Sequence, residues 1–147
     1  MLYQLTYRSE AKLGITAEDI ISILRQSEAN NPKYEVTGCL VFNEGYFVQL
    51  LEGEKEIVKE RFAIIEADQR HEMVEVLSEG QTSDRMFEDW KMAYIKLPDD
   101  PDSKLESQVK ADLKTLEENA ERPNFTSKVF WYNVYSLLDE KGFFRPQ

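Results

Sequence analysis

The stretch Val36-Thr37-Gly38-Cys39-Leu40-Val41-Phe42-Asn43-Glu44-Gly45-Tyr46-Phe47-Val48-Gln49-Leu50-Leu51-Glu52-Gly53 decides how the rest of the chain is read. Two apolar runs, Val36 to Phe42 and Tyr46 to Glu52, flank a short connection containing Asn43-Glu44-Gly45. That is the signature of two antiparallel strands joined by a hairpin. Upstream, Leu2 to Tyr7 is a first strand-like run. Thr16 then reads as an N-cap with Asp19 reaching back to it, and Ile20, Ile21, Ile23 and Leu24 supply the apolar stripe of a helix. Asn30-Asn31-Pro32 stops that helix. Downstream, Gly53 leads into a second helix, Lys55 to Asp68, with Ile57, Val58, Phe62 and Ile65 at helical spacing. Met73 to Leu77 and Trp90 to Leu97 read as two further strands.

The resulting order is βαββαββ. Right-handed crossovers place both helices on one face of the sheet, which predicts a ferredoxin-like α/β (α+β) sandwich for residues 1–97. The other face needs a cover. Leu97-Pro98-Asp99-Asp100-Pro101-Asp102 breaks the pattern as a linker. Beyond it, Leu105, Val109, Leu113 and Leu116 predict an amphipathic helix from Lys104 to Glu121, ended by Arg122-Pro123-Asn124. Thr126 is read as the cap of a last helix whose core includes Val129, Phe130, Val134, Tyr135 and Leu138. Residues 98–147 thus form a linker and a two-helix extension expected to pack on the bare sheet face or on a neighbouring chain. The Lys104 to Glu121 stripe and the run Phe130-Trp131-Tyr132 carry more apolar surface than one sheet face requires, which predicts a homo-oligomer built on these helices.

Composition bounds the function. A chain of 147 residues with 41% apolar side chains supports one real core. The net charge of -10 repels a phosphate backbone and an anionic lipid surface, so neither nucleic acid nor membrane is an expected partner. The single cysteine, Cys39, excludes an intramolecular disulfide and fits a reducing, cytoplasmic setting. No signal-peptide or membrane-span pattern is visible. His71 is the single histidine and has no companion cluster, so no metal is expected.

Tyr7 ends the first strand, and Gln49 lies in the middle of the third. An amide in so apolar a segment needs a dedicated partner, because an unpaired buried one costs about 1–3 kcal/mol. A phenol is neutral at pH 7, so loss of an electron from it is coupled to loss of its proton. A glutamine carries donors and an acceptor, and rotation or tautomerisation reverses its hydrogen-bond pattern. The pair suggests a light or redox sensor before a hydrolase. No P-loop, G-x-S-x-G or H-E-x-x-H motif is present.

With the strands placed, the chain resembles a BLUF domain, a blue-light sensor that uses a flavin. The resemblance rests on Leu2-Tyr3-Gln4-Leu5-Thr6-Tyr7, Asn30-Asn31-Pro32, Val36-Thr37-Gly38, Phe47-Val48-Gln49-Leu50-Leu51-Glu52-Gly53, Asp68-Gln69-Arg70-His71 and Phe87-Glu88-Asp89-Trp90-Lys91-Met92. It covers residues 1–97 and is similar to short family members that carry only C-terminal helices. It implies a non-covalent flavin, FAD or FMN, standing between the two helices. Asn30 and Asn31 would bond its polar edge, Ile23 and Ile65 would clamp its faces, and Arg70 and His71 would lie near its other carbonyl or its ribityl side. Gln49 would bridge Tyr7 and the ring, with Trp90 and Met92 competing for the place beside it. The signal would leave through the last strand and the C-terminal helices to a separate signalling protein that no motif identifies. The alternatives are a ferredoxin-like small-molecule-binding regulator or a small hydrolase without photochemistry.

Overall fold

The computed structural model describes residues 2–43, 45–87, 93–96 and 125–139. The elements are β1 (Leu2–Ala11), α1 (Ala17–Asn30), a 3-10 turn (Asn31–Tyr34), β2 (Thr37–Asn43), β3 (Tyr46–Glu54), α2 (Lys55–Ala67), β4 (His71–Gln81), β5 (Ala93–Lys96) and α3 (Phe125–Asp139). The sheet order is β4-β1-β3-β2-β5. All neighbours are antiparallel except β2 and β5, which run parallel. This is the expected ferredoxin-like arrangement with a fifth strand.

The hairpin pairs Asn43 with Tyr46, leaving a two-residue connection. Gly45 there has φ of +85°, a left-handed conformation that a side chain disfavours. At the other end of β3, a Cβ on Gly53 would lie 3.1 Å from the Glu35 carbonyl oxygen, so β3 approaches the end of the 3-10 turn closely. The α1 start is the predicted capping box: the Asp19 N–H donates to Thr16 Oγ1 at 3.2 Å, and the Thr16 N–H donates to Asp19 Oδ2 at 3.0 Å.

Alternation along the strands sorts side chains into two cores. Tyr3, Leu5 and Tyr7 of β1, Leu40 of β2, and Phe47 and Leu51 of β3 face Ile20 and Ile23 of α1 and Val58 and Phe62 of α2. Cys39, Val41, Val48 and Leu50 face the opposite way, onto Phe87 and onto Phe130, Trp131, Val134 and Leu137 of α3. The bare face is therefore covered by the last helix, as expected.

Several expectations are corrected. Ile21 is exposed at 46% because it lies off the buried stripe held by Ile20 and Ile23. The fourth strand is longer than Met73 to Leu77, running from His71 to Gln81 as the partner of β1. Thr126 lies inside the first turn of α3, buried, where its hydroxyl meets Ser78 Oγ at 2.8 Å. Its side chain joins helix to sheet instead of capping the helix. Phe130 and Trp131 are consumed by the chain's own sheet, and only Tyr132 of that run points outward, 68% exposed. The expected Lys104 to Glu121 helix and the Leu97 to Asp102 linker lie outside the described residues, as do Trp90 and Met92.

Candidate functional site

One slot between α1 and α2, floored by the sheet, gathers Tyr7, Ile23, Asn30, Asn31, Gln49, Ile65, Arg70 and His71. These are all the site residues expected from the sequence apart from Trp90 and Met92. Topology explains the convergence. β1 and β3 are adjacent, with Tyr7 directly opposite Gln49 in the pairing register. Ile23 is buried on α1, and Ile65 is half-buried on α2. Asn30 ends α1 and Asn31 opens the 3-10 turn, so the proline that stops the helix also sets both amides at the slot's end.

Tyr7 is 1% exposed and Gln49 is 2% exposed. The Tyr7 hydroxyl donates to Gln49 Oε1. The Thr6 hydroxyl, on the other face of the sheet, donates to the Gln49 main-chain carbonyl at 2.9 Å and so fixes the strand beneath the amide. Burial, with the Asp68 carboxylate adding to it, pushes the Tyr7 phenol far above its ordinary value. Tyr7 therefore keeps its proton at rest and holds the Gln49 amide with its oxygen toward β1.

The Arg70 guanidinium is engaged within the protein. Its Nε and Nη2 donate to Asp68 at 3.0 and 2.6 Å, its Nη1 to Ser22 Oγ at 3.3 Å, and its Nη2 also to Gln26 Oε1 at 2.6 Å. It thereby ties the α2–β4 turn to α1 across the slot. The Arg70 guanidinium holds the Asp68 carboxyl below its usual range. His71, 8% exposed, is no surface residue: its Nδ1 lies 3.0 Å from Ser9 Oγ and its ring packs on Phe47. Burial lowers its pKa, so the imidazole is neutral near pH 7.

Gln26, Arg61, Ile64 and Asp68 also line the slot and carry no expected role from the sequence. Asp68 had a signal, its position two residues before Arg70, where a carboxylate can accept both the Arg70 N–H and its guanidinium. Arg61 and Gln26 sit on helix faces whose aim toward the slot depends on the packing angle of the helices. The chemistry of the lining fits a flat ring that is apolar on its faces and polar on one rim. Isoleucines face each other from the two helices, and amides stand at the edge and floor. Cys39 belongs to the core on the far side of the sheet, and burial pushes its thiol up, so no thiolate faces the slot. Among the described residues, no group of three or more His, Cys, Asp or Glu side chains could hold a metal ion, and no helix is long and apolar enough to cross a membrane.

The chain matches a family model described as "BLUF: Sensors of blue-light using FAD" over residues 2–93. It is 36% identical over 73 residues to the photoactivated adenylate cyclase subunit beta of Euglena gracilis, a stretch that is 50% of this chain and 8% of that subunit. It is 38% identical over 78 residues to the blue light- and temperature-regulated antirepressor BluF of Escherichia coli (strain K12), covering 52% of this chain and 19% of BluF. The matched stretch thus spans less than a fifth of either relative. Among solved structures, the fold is similar to the dark state of BlrB, a BLUF protein, with a TM-score of 0.66, 29% identity, and coverage of 92% of this chain and 97% of that one. It is also similar to a bacterial light-regulated adenylyl cyclase, with a TM-score of 0.67, 32% identity, and coverage of 80% of this chain and 34% of the cyclase.

Proposed function

The chain belongs to the BLUF family, sensors of blue light using FAD, and from that premise we propose that Tyr7 and Gln49 are its photoactive pair and that the slot between α1 and α2 holds the flavin non-covalently. It is a blue-light photoreceptor, and the segment matched to the family is sensory, not catalytic. In this reading residues 1–97 are the flavin-binding domain and residues 98–147 the linker and helical extension.

Bound in the slot, the flavin supplies absorption of blue light and, once excited, an acceptor for one electron. The chain's own residues do the rest. Ile23 and Ile65 hold the ring faces, and Asn30 and Asn31 offer amides to its polar edge, where either FAD or FMN would present the same ring. Tyr7 gives up the electron and releases its phenolic proton. Gln49 Oε1, already the acceptor of that hydroxyl, receives it. Once the electron and a proton have returned to Tyr7, the amide is left rotated or tautomerised, with donor and acceptor exchanged, and stores the event as an altered hydrogen-bond pattern. Trp90 and Met92 act beside Gln49, and β5 carries the change to the C-terminal helices and on to a separate cytoplasmic signalling protein.

The observation that carries this reading is the buried Tyr7–Gln49 hydrogen bond on the floor of a slot with aliphatic walls and amides at its edge. Absorption spectra before and after blue light test it. The unsubstituted protein binds flavin and shows a light-induced red shift. Tyr7→Phe and Gln49→Leu bind flavin and lose the shift. A normal photocycle in either variant, or a preparation that stays colourless after addition of flavin, overturns the assignment.

A further inference from the structure

The core between the sheet and α3 is built from apolar side chains, yet it encloses a carboxylate. Glu52 is 0% exposed. It lies three residues beyond Gln49 on β3, so the two side chains leave opposite faces of the sheet. Its Oε1 accepts the main-chain N–H groups of Met86 at 2.9 Å and Phe87 at 3.1 Å, and its Oε2 lies 3.3 Å from the Phe87 nitrogen. The Gln4 side chain, opposite it on β1, bonds it as well. Arg85 closes the clamp from outside: its guanidinium donates to the Glu52 carbonyl at 3.1 Å, to Thr37 Oγ1 at 2.8 Å and to the Glu35 carbonyl at 2.8 Å. Residues 85–87 are thereby fastened to the ends of β2 and β3.

The Phe87 ring is 2% exposed and packs against Phe130 and Trp131 of α3, with centroids 5.9 and 6.1 Å apart. One unbroken physical series therefore runs from Gln49 along β3 to Glu52, across the bonds from the Met86 and Phe87 N–H groups, and from the Phe87 ring to the helix. Burying a carboxylate is costly unless it is well paired, and an apolar residue would fill the same space without that cost. The donors that hold this side chain come from a segment that makes no sheet pairing in this stretch. The clamp thus transmits position where the sheet itself does not.

We propose that Glu52 is a positioning residue that passes a displacement of β3 at Gln49 to α3 through the Phe87 main chain and ring, a route separate from β5. This rests on the photoreceptor reading above. The test records, on the full chain, both the light-induced red shift and the light-minus-dark difference in hydrogen exchange across residues 125–139. Glu52→Leu keeps the red shift, while the exchange difference in α3 falls about fivefold or more, the lower end of the range for coupling between sites. Glu52→Gln retains one acceptor oxygen for the two N–H groups and restores most of the difference. A purely structural role would raise exchange in dark and light alike and leave the difference unchanged. A normal red shift with an unaltered α3 difference in Glu52→Leu overturns the clamp alone, and so does an unsubstituted protein that shifts its spectrum without any response in α3. Absence of the red shift in the unsubstituted protein overturns the photoreceptor reading and this proposal with it. Should Glu52→Leu fail to fold, Arg85→Ala, at a half-buried side chain, carries the same test with loss expected in the same direction.

Discussion

Tyr7 and Gln49 occupy one rung of the β1–β3 pairing, and the hydrogen bond between them is sealed from water. Tyr7→Phe preserves the ring against Phe62 and leaves the Gln49 oxygen without this donor. Removing one partner of a buried hydrogen bond costs about 1–3 kcal/mol, which sets the expected loss in denaturant unfolding. The variant should therefore fold, so its spectral phenotype is readable as chemistry. His71 gives a pH dependence. Burial lowers its folded-state pKa below the ordinary 6.5. The unfolded chain then takes up a proton that the folded chain refuses, so this contribution to stability is complete above about pH 6.5 and falls away below it. Unfolding free energies at pH 7.5 and 5.5 should drop more for the unsubstituted protein than for His71→Gln. An equal drop in both would mean that other groups set the slope. Glu52, whose pKa burial raises, acts in the opposite sense: its contribution is greatest at low pH and is lost as pH rises through its folded-state value.

At the scale of elements, the α1 start rests on the reciprocal Thr16–Asp19 bonds at an exposed helix end. Thr16→Ala removes the Thr16 side-chain acceptor and should cost about 1 kcal/mol, read from a denaturation midpoint with unchanged slope. That cap was legible in the sequence because its bonds are local. So was the hairpin, since the alternation of β2 and β3 and the short connection at Gly45 act over a few residues. The limits of β4 were not, because an edge strand carrying Glu72, Glu75 and Glu79 shows little apolar alternation and is defined by pairing with β1. Thr126 had the sequence context of a cap, but Ser78, 48 residues away, took its hydroxyl. The site residues were legible as a family pattern and not as geometry. What the pattern left silent were side chains whose partners are main-chain groups or a neighbouring loop, Glu52 and Asp68 above all.

For the whole molecule, α3 is pinned at both ends: Thr126 meets Ser78 on β4, and Asn43 Nδ2 of β2 donates to the Leu137 carbonyl at 3.3 Å. Between the pins, Phe130, Trp131 and Val134 are buried on the sheet. A change in the sheet is thus felt by a helix whose outer side none of the described residues covers. The apolar groups left on that side include Phe125, 75% exposed, and Tyr132. Self-association through the C-terminal helices, expected from the sequence, should therefore depend on these two. Sedimentation at tens of micromolar should show an oligomer that Phe125→Ser with Tyr132→Ser shifts toward monomer. A monomer throughout, in dark and in light, would remove the helices as an interface.

The edge strand β4 has one more consequence. Among the described strands it pairs with β1 alone, leaving 11 residues of main chain along one side of the sheet. Such a border invites a second copy to add its own strand and start a fibril. Here the border is spoiled twice. Met73 takes a left-handed conformation, φ of +54°, and the β1–β4 pairing shifts register at two points. The exposed acids Glu72, Glu75 and Glu79 add mutual repulsion between neighbouring copies. The chain should remain dispersed on long storage at high concentration, and Glu75→Val should shorten the lag before thioflavin-positive aggregates form. The irregularity of this strand, which hid its limits from the sequence, thus serves as protection against amyloid.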